Sequence, residues 1–394
     1  MVENISDSIK YVGVNDREID LFESQYIVPE GIAYNSYVIL DEKTAVMDTV
    51  DAHKTDEWLG NVKEALDGRK LDYLVVQHIE PDHSGSFKAA IEAFPEAQIV
   101  GNAKTFSMLP QFFDDLDIED RKVVVKEGDT ISLGSHTLQF ILAPMIHWPE
   151  VMMTYEASEK VFFSADAFGK FGALDFDDPE GWACEARRYY FGIVGKYGMS
   201  VQNLLKKAAA LEIEKILPLH GPVLPMPGTE LSYYLDTYNT WSSYEPETHG
   251  VFVAYASIHG NTAKAAKKLA EMLEAKGEKV AISDLCREDM AECVEDAFRY
   301  DRMVLCSSSY DAGVFLPMHD FLTHLTAKTY QNRKVALLEN GSWAPSAART
   351  MKGIIEGWKN VEILDATLTI RSTLKESDMP GLEALADAVV EAGK

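Results

Sequence analysis

Residues 78–83 read His78-Ile79-Glu80-Pro81-Asp82-His83 and follow the apolar run Leu74-Val75-Val76. Four side chains able to ligate a metal within six positions, at the end of a run patterned like a buried strand, require a fold that brings a strand's carboxyl end to a metal. The donor chemistry narrows the metal. Glu80 is a hard oxygen donor and moves such a site from zinc toward iron or manganese. The segment is therefore read as half of a two-metal site, with iron as the metal.

Three more candidates lie in loops just after apolar segments. His147 stands in Ala143-Pro144-Met145-Ile146-His147-Trp148-Pro149, Asp166 in Phe162-Phe163-Ser164-Ala165-Asp166-Ala167-Phe168, and His220 in Ile216-Leu217-Pro218-Leu219-His220-Gly221-Pro222. Each follows a strand-like run, so the carboxyl ends of several strands are expected to converge on one cleft. Seven ligands suffice for two metals, with one carboxylate shared and positions left open for substrate. Taken singly, a loop histidine is ordinary polar surface and Asp166 would serve as a helix N-cap. His136, His249, His319 and His324 are left in that class.

The spacing of residues 78–83 resembles the H-x-H-x-D-H signature of metallo-β-lactamase-like hydrolases, with Glu80 where that signature has its second histidine. The full ordered set, H-x-E-x-D-H followed at long intervals by H, D and H, is similar to the diiron domain of flavodiiron proteins, also called A-type flavoproteins, and matches it at every ligand position. The resemblance implies that His78, Glu80 and His147 hold one iron, that Asp82, His83 and His220 hold the other, and that Asp166 bridges them.

The chain changes character near Gly250. Before it, strand-like runs (Tyr37–Leu40, Thr44–Met47, Leu74–Val76, Val123–Val125, Leu138–Ile141, Lys160–Phe163) alternate with loops and with helical stretches such as Thr55–Leu66 and Phe87–Phe94. Two blocks of strands, each followed by helices, predict a layered αββα sandwich over residues 1–249, of the metallo-β-lactamase-like kind that the resemblance implies. The segment Tyr233–Thr248 reads as a helix end and a short connector. From residue 250 to 394 the pattern becomes regular β-α alternation, with strands at Gly250–Ser257, Val280–Leu285, Met303–Ser307, Lys334–Leu338 and Val361–Leu364. Five strands in that rhythm predict a parallel, doubly wound sheet, of the flavodoxin-like kind that the resemblance implies.

The first of these strands runs into Ser257-Ile258-His259-Gly260-Asn261-Thr262, where a helix begins at once. Hydroxyls, a glycine and free backbone N–H groups at a helix N-terminus form a phosphate cradle. The order resembles the flavodoxin phosphate loop, with His259 in place of a hydroxyl. Two later loops, Ser308-Ser309-Tyr310-Asp311-Ala312-Gly313 and Asn340-Gly341-Ser342-Trp343, follow the third and fourth strands. In a doubly wound sheet a ligand sits outside the carboxyl ends of the strands at the switch point. The loops are read as flanking an isoalloxazine ring, with Trp343 and Tyr310 available to stack on it. No G-x-G-x-x-G follows a strand, so FMN is preferred to a dinucleotide.

The net charge of −26 excludes nucleic acid and an anionic membrane surface as partners. No apolar run has the length of a membrane span, and the first sixteen residues lack the pattern of a signal peptide, so a cytoplasmic protein is expected. Cys184, Cys286, Cys293 and Cys306 form no C-x-x-C pair, so the redox centres are held by other residues. Resemblance to flavodiiron proteins implies an oxidoreductase that reduces O2 to water and/or NO to N2O, fed through FMN by an external donor such as rubredoxin or reduced coenzyme F420. Two other readings stand beside it: a zinc hydrolase of the metallo-β-lactamase fold and a flavodoxin-like electron carrier. Tyr190, in Arg187-Arg188-Tyr189-Tyr190-Phe191, is the candidate catalytic hydrogen-bond donor. Only a short connector joins the two halves, and the family resemblance implies a head-to-tail homodimer, or a tetramer of such dimers, in which each flavin faces the partner's irons.

Overall fold

The structure, a computed structural model, describes residues 2–176 and 181–394, in two units, Met1–Tyr238 and Asn239–Lys394. The first unit is built on two sheets. One has seven strands in the order Glu3–Asn4, Ile9–Tyr11, Tyr37–Leu40, Thr44–Met47, Tyr73–Val75, Gln98–Asn102 and Lys122–Val125. The other has five, Thr130–Ser132, Thr137–Leu142, Met152–Glu156, Val161–Phe163 and Lys215–Leu217.

Alternate residues of both sheets meet in one core: Tyr37, Ile39, Ala45, Met47 and Val75 from the first, Leu138, Phe140, Met152, Phe163 and Leu217 from the second. That is the period of two a strand imposes. The intervening residues, among them Val38, Val46, Leu74, Ile141, Met153, Phe162 and Ile216, are buried as well. Both faces of each sheet are therefore covered, which makes the unit an αββα sandwich; the helix Thr55–Leu66, for instance, packs on the strand Tyr37–Leu40.

In the second unit, five parallel strands lie in the order Val280–Asp284, Thr248–Ala256, Tyr300–Tyr310, Arg333–Asn340 and Val361–Ile370. Written by chain position this is 2-1-3-4-5, the flavodoxin-like order, with its switch point beside the first strand. Val251, Val253, Val304, Cys306, Ala336 and Leu338 pack on one face against Leu269, Leu273, Leu382, Leu385 and Val389 of the helices Asn261–Ala275 and Met379–Ala392. A sixth short strand, Gly313–Val314, pairs antiparallel with the end of Tyr300–Tyr310 and folds the third loop back on itself.

The division between units falls inside the helix Leu231–Ser242. The residues read from sequence as a connector are hydrogen-bonded into the second unit. Arg333 Nη1 donates to Tyr244 O at 2.6 Å, and Glu247 N donates to Arg299 O at 3.0 Å. Among the described residues, no helix is long and apolar enough to cross a membrane.

Candidate functional site

All seven candidate ligands lie just past strands of the two sandwich sheets. His78 and Glu80 follow Tyr73–Val75, and Pro81 opens the short helix Pro81–Ser84 that carries Asp82 and His83. His147 follows Thr137–Leu142, Asp166 follows Val161–Phe163, and His220 follows Lys215–Leu217. Positions as far apart in sequence as His78 and His220 thus meet because neighbouring strand ends share one edge of the sandwich.

The donors form two clusters, His78, Glu80, His147 and Asp166 in one and Asp82, His83 and His220 in the other. Asp166 links them with a different oxygen to each. Its Oδ2 lies 3.2 Å from both His78 Nε2 and His147 Nε2, whereas its Oδ1 lies 3.1 Å from His83 Nε2 and 3.7 Å from His220 Nε2. Glu80 Oε2 closes the first cluster at 2.9 Å from His147 Nε2 and 3.3 Å from His78 Nε2. Asp82 Oδ2 closes the second at 3.2 Å from His220 Nε2 and 3.3 Å from His83 Nε2.

These edges fit a metal. Ligand bonds of about 2.0–2.2 Å give donor–donor edges of roughly 3–3.5 Å. Both oxygens of Asp82, Oδ2 of Asp166 and Nε2 of His147 and His220 are buried without a hydrogen-bond partner among the described residues. Buried polar atoms left in that state call for an ion. The rings are oriented from behind. His78 Nδ1 is 2.7 Å from Glu150 Oε1, and His220 Nδ1 is 2.8 Å from Ala33 O, so each turns Nε2 inward.

The charges hold one another. Burial alone would raise the carboxyl of Asp166, but His83, His78 and His147 hold it well below its usual range. Burial would likewise raise Glu80, which His147 and His78 hold low. Burial opposes the imidazolium of His147, yet Asp166 and Glu80 lift it to about 9. Metal ions would replace those protons, since ligating imidazoles must be neutral.

Of the tyrosine pair, Tyr189 is the one in ring contact with a candidate ligand, 5.5 Å from His220. Tyr190 is buried in the π-turn Tyr190–Val194, its ring 5.1 Å from Tyr238. The Tyr238 hydroxyl accepts from Phe168 N, two residues past Asp166, so Tyr190 supports the loop that carries the shared carboxylate.

In the second unit a cavity of about 700 Å3 opens at the carboxyl ends of the first, third and fourth strands, a size usual for ligand sites. The predicted loop residues line it except Gly260 and Gly313, and Ala344, Pro345, Ser346, Arg349 and Ser372 join them. Gly260 is the N-cap of the 15-residue helix Asn261–Ala275 with φ +84, so it shapes the loop instead of facing the cavity. Gly313 is drawn away into the short strand Gly313–Val314. A network ties the loops together: Thr262 Oγ1 is 2.8 Å from Ser308 Oγ, and Asn340 Nδ2 donates to Thr262 Oγ1 at 3.2 Å and to Ser372 O at 2.8 Å. A Cβ on Gly341 would stand 2.7 Å from Pro345 Cα, so only glycine fits there. Trp343 is 89% exposed and Tyr310 43%, aromatic faces available to a planar ligand. The helix N-terminus, hydroxyl-lined loop and aromatic walls suit an FMN phosphate and ring.

Residues 32–221 match the family described as ODP family beta lactamase, and residues 253–379 match Flavodoxin. The chain is 31% identical to an uncharacterized protein of Methanocaldococcus jannaschii, over 96% of this chain and 95% of that one. It is 28% identical to a nitric oxide reductase of Moorella thermoacetica, over 95% of this chain and 94% of the relative. The rubredoxin oxygen:oxidoreductase of Desulfovibrio gigas superposes with a TM-score of 0.92 at 25% identity, covering 100% of this chain and 98% of its own. The chain belongs to the flavodiiron proteins.

Several residues that shape this flavodiiron site escaped the sequence reading. Glu150, fully buried, buttresses His78; burial raises its carboxyl, but the His78 ring and Ile79 N–H hold it below the usual range. Asp48 accepts from Gln77 N at 2.7 Å and Gln77 Nε2 at 2.8 Å, fixing the start of the ligand loop. Asn35 Nδ2 donates to Pro218 O at 2.9 Å and Gly221 O at 2.7 Å, clasping the His220 loop. Glu150 had a signal, an acidic residue three positions after His147 in an otherwise apolar loop. Asn35 had none, since its partners lie more than 180 residues away.

Proposed function

We propose that this flavodiiron protein reduces O2 to water or NO to N2O at a two-iron centre, with electrons relayed through FMN from an external donor. The observation that carries the reading is Asp166, whose two oxygens face two separate histidine–carboxylate clusters at 3.1–3.2 Å. Two ferrous ions supply two electrons and a reduced flavin two more, enough for one O2, while coupling two NO molecules takes two. His78, Glu80 and His147 would hold one iron, Asp82, His83 and His220 the other, with Asp166 shared. Three ligand carboxylates with Glu150 behind His78 balance the charge of two divalent cations in the buried pocket. Glu150, Ala33 O and Asn35 keep the ligand rings and loops oriented without reorganisation when the metals change charge.

Ser257, Ile258, His259, Asn261 and Thr262, at the start of the helix Asn261–Ala275, would cradle the FMN phosphate, with His259 supplying a donor from its ring. Ser308 to Ala312 and Asn340 to Trp343 would flank the ring system, with Gly260 and Gly313 setting the loop shapes. Support for both substrates comes from the relatives, one named for nitric oxide and one for oxygen. The second name also supports rubredoxin as donor, with reduced coenzyme F420 as the alternative. The working compartment we infer is the cytoplasm.

We further infer a head-to-tail homodimer. Exposed apolar side chains rim each site separately. Leu21 and Ile27 flank the hairpin whose Phe22 lies 5.3 Å from His220, and half-exposed Phe112 stacks on Trp148 beside His147. Ile258, Tyr310 and Trp343 rim the flavin cavity. Such clustering marks interaction surfaces. Consumption of added O2, and of NO in O2-free buffer, with rubredoxin and with reduced F420 as donors, tests the proposal; turnover of at least one gas is expected, and none with a full set of cofactors would overturn it.

A further inference from the structure

We propose that Glu150 makes the two halves of the centre electronically unequal, lowering the potential of the iron at His78, Glu80 and His147 below that of the iron at Asp82, His83 and His220. The inference rests on the two-iron reading above and concerns a residue that does not touch a metal.

The asymmetry lies behind the ligand rings. Glu150 is fully buried, and its Oε1 is 2.7 Å from His78 Nδ1 and 3.1 Å from Ile79 N, while Oε2 is buried with no partner among the described residues. Its backbone carbonyl accepts from Asn102 Nδ2 at 2.6 Å, which fixes the residue in place. Asp48, also buried, lies 3.3 Å from His78 N but also acts electrostatically on His83, so it does not tell the two clusters apart. Among the described residues, no carboxylate is hydrogen-bonded to the rear ring nitrogen of a histidine in the other cluster. His220 Nδ1 meets only the neutral carbonyl of Ala33 at 2.8 Å, and His83 Nδ1 is buried without a partner.

A carboxylate that accepts from the rear N–H of an imidazole draws that proton away and raises the electron density the ring offers its metal. In a buried, low-dielectric setting the effect is weakly screened. Electron-rich ligands and nearby negative charge favour ferric over ferrous iron. The first electron removed from the diferrous pair, taken by ferricyanide and converting it to ferrocyanide, therefore comes from the His78 side. Glu150 acts as a positioning and tuning residue through His78.

The test is an oxidative titration of the full-length, 57Fe-loaded holoprotein, followed by Mössbauer and EPR spectroscopy after iron and FMN contents are read. At one electron removed per centre, wild type is expected to show ferric character trapped on one iron. Glu150→Gln keeps shape and removes charge. Its first couple is expected to rise by about tenfold in equilibrium constant, ~59 mV for one electron, with the second couple moving less. Glu150→Asp keeps the charge and is expected to stay closer to wild type. Evenly shared ferric character in wild type, an unchanged gap between couples in Glu150→Gln, or an equal shift in Glu150→Asp would each overturn the proposal. Evenly shared ferric character in wild type overturns the proposal even if Glu150→Gln fails to fold, and Glu150→Asp then carries the comparison of couples. A sample lacking the second iron overturns the two-iron reading itself, whereas full iron with evenly shared ferric character overturns this proposal alone.

Discussion

At the scale of single residues, the centre turns on Asp166. It is the one candidate ligand whose side-chain oxygens lie near donors of both clusters, so as the proposed bridge its removal would cost each metal a ligand at once. Asp166→Ala is expected to lower bound iron at both positions and turnover by about 100-fold or more, beyond the usual loss for a residue behind a ligand. Tyr190→Phe is expected to keep both irons and to lose less than about tenfold, the scale of one hydrogen bond. Iron content and gas-consumption rates on the two variants check the pair. An Asp166→Ala protein with both irons and near-normal turnover would remove the bridge assignment.

At the scale of elements, loops are held by partners that sequence proximity does not reveal. The His220 loop is clasped by Asn35, and a cut there leaves two buried carbonyls without that donor. Asn35→Ala is expected to cost about 1–3 kcal/mol of stability and to weaken metal binding at the Asp82, His83 and His220 cluster more than at the other. Thermal unfolding with and without iron measures both effects. On the flavin side, Gly341→Ala would press on Pro345 and Ser309; a cost of about 1–3 kcal/mol should raise the FMN Kd roughly 5- to 150-fold, by flavin fluorescence titration.

The same contrast explains what was legible in the sequence. The β-α rhythm after Gly250 and the ligand spacing are local patterns, and the residues they singled out fall at strand ends. The strand Met152–Glu156 was not legible, because it is buried at every position and shows no alternation. The long strands Tyr300–Tyr310 and Val361–Ile370 extend past their apolar centres into polar residues, where pattern alone stops. Glu150 and Asn35 act across the fold, beyond the reach of any window.

At the scale of the whole molecule, the exposed apolar rims of the two sites need cover, and a second copy of the chain supplies it in the arrangement proposed. Light scattering is expected to give a dimer or a tetramer. Co-expression of a His83→Ala, His147→Ala chain with a chain whose FMN loops are disabled is expected to restore part of the activity in isolated heterodimers. Heterodimers that stay inactive while each chain keeps its remaining cofactor would show that electrons pass within one chain. The central claim, two irons served by a flavin, is tested most directly by the metal and flavin content of protein purified from iron-replete cells, read with O2 and NO consumption on the same sample. About two irons and one FMN per chain, with reductase turnover, is the expected result. Mainly zinc, no flavin and hydrolase turnover would contradict it.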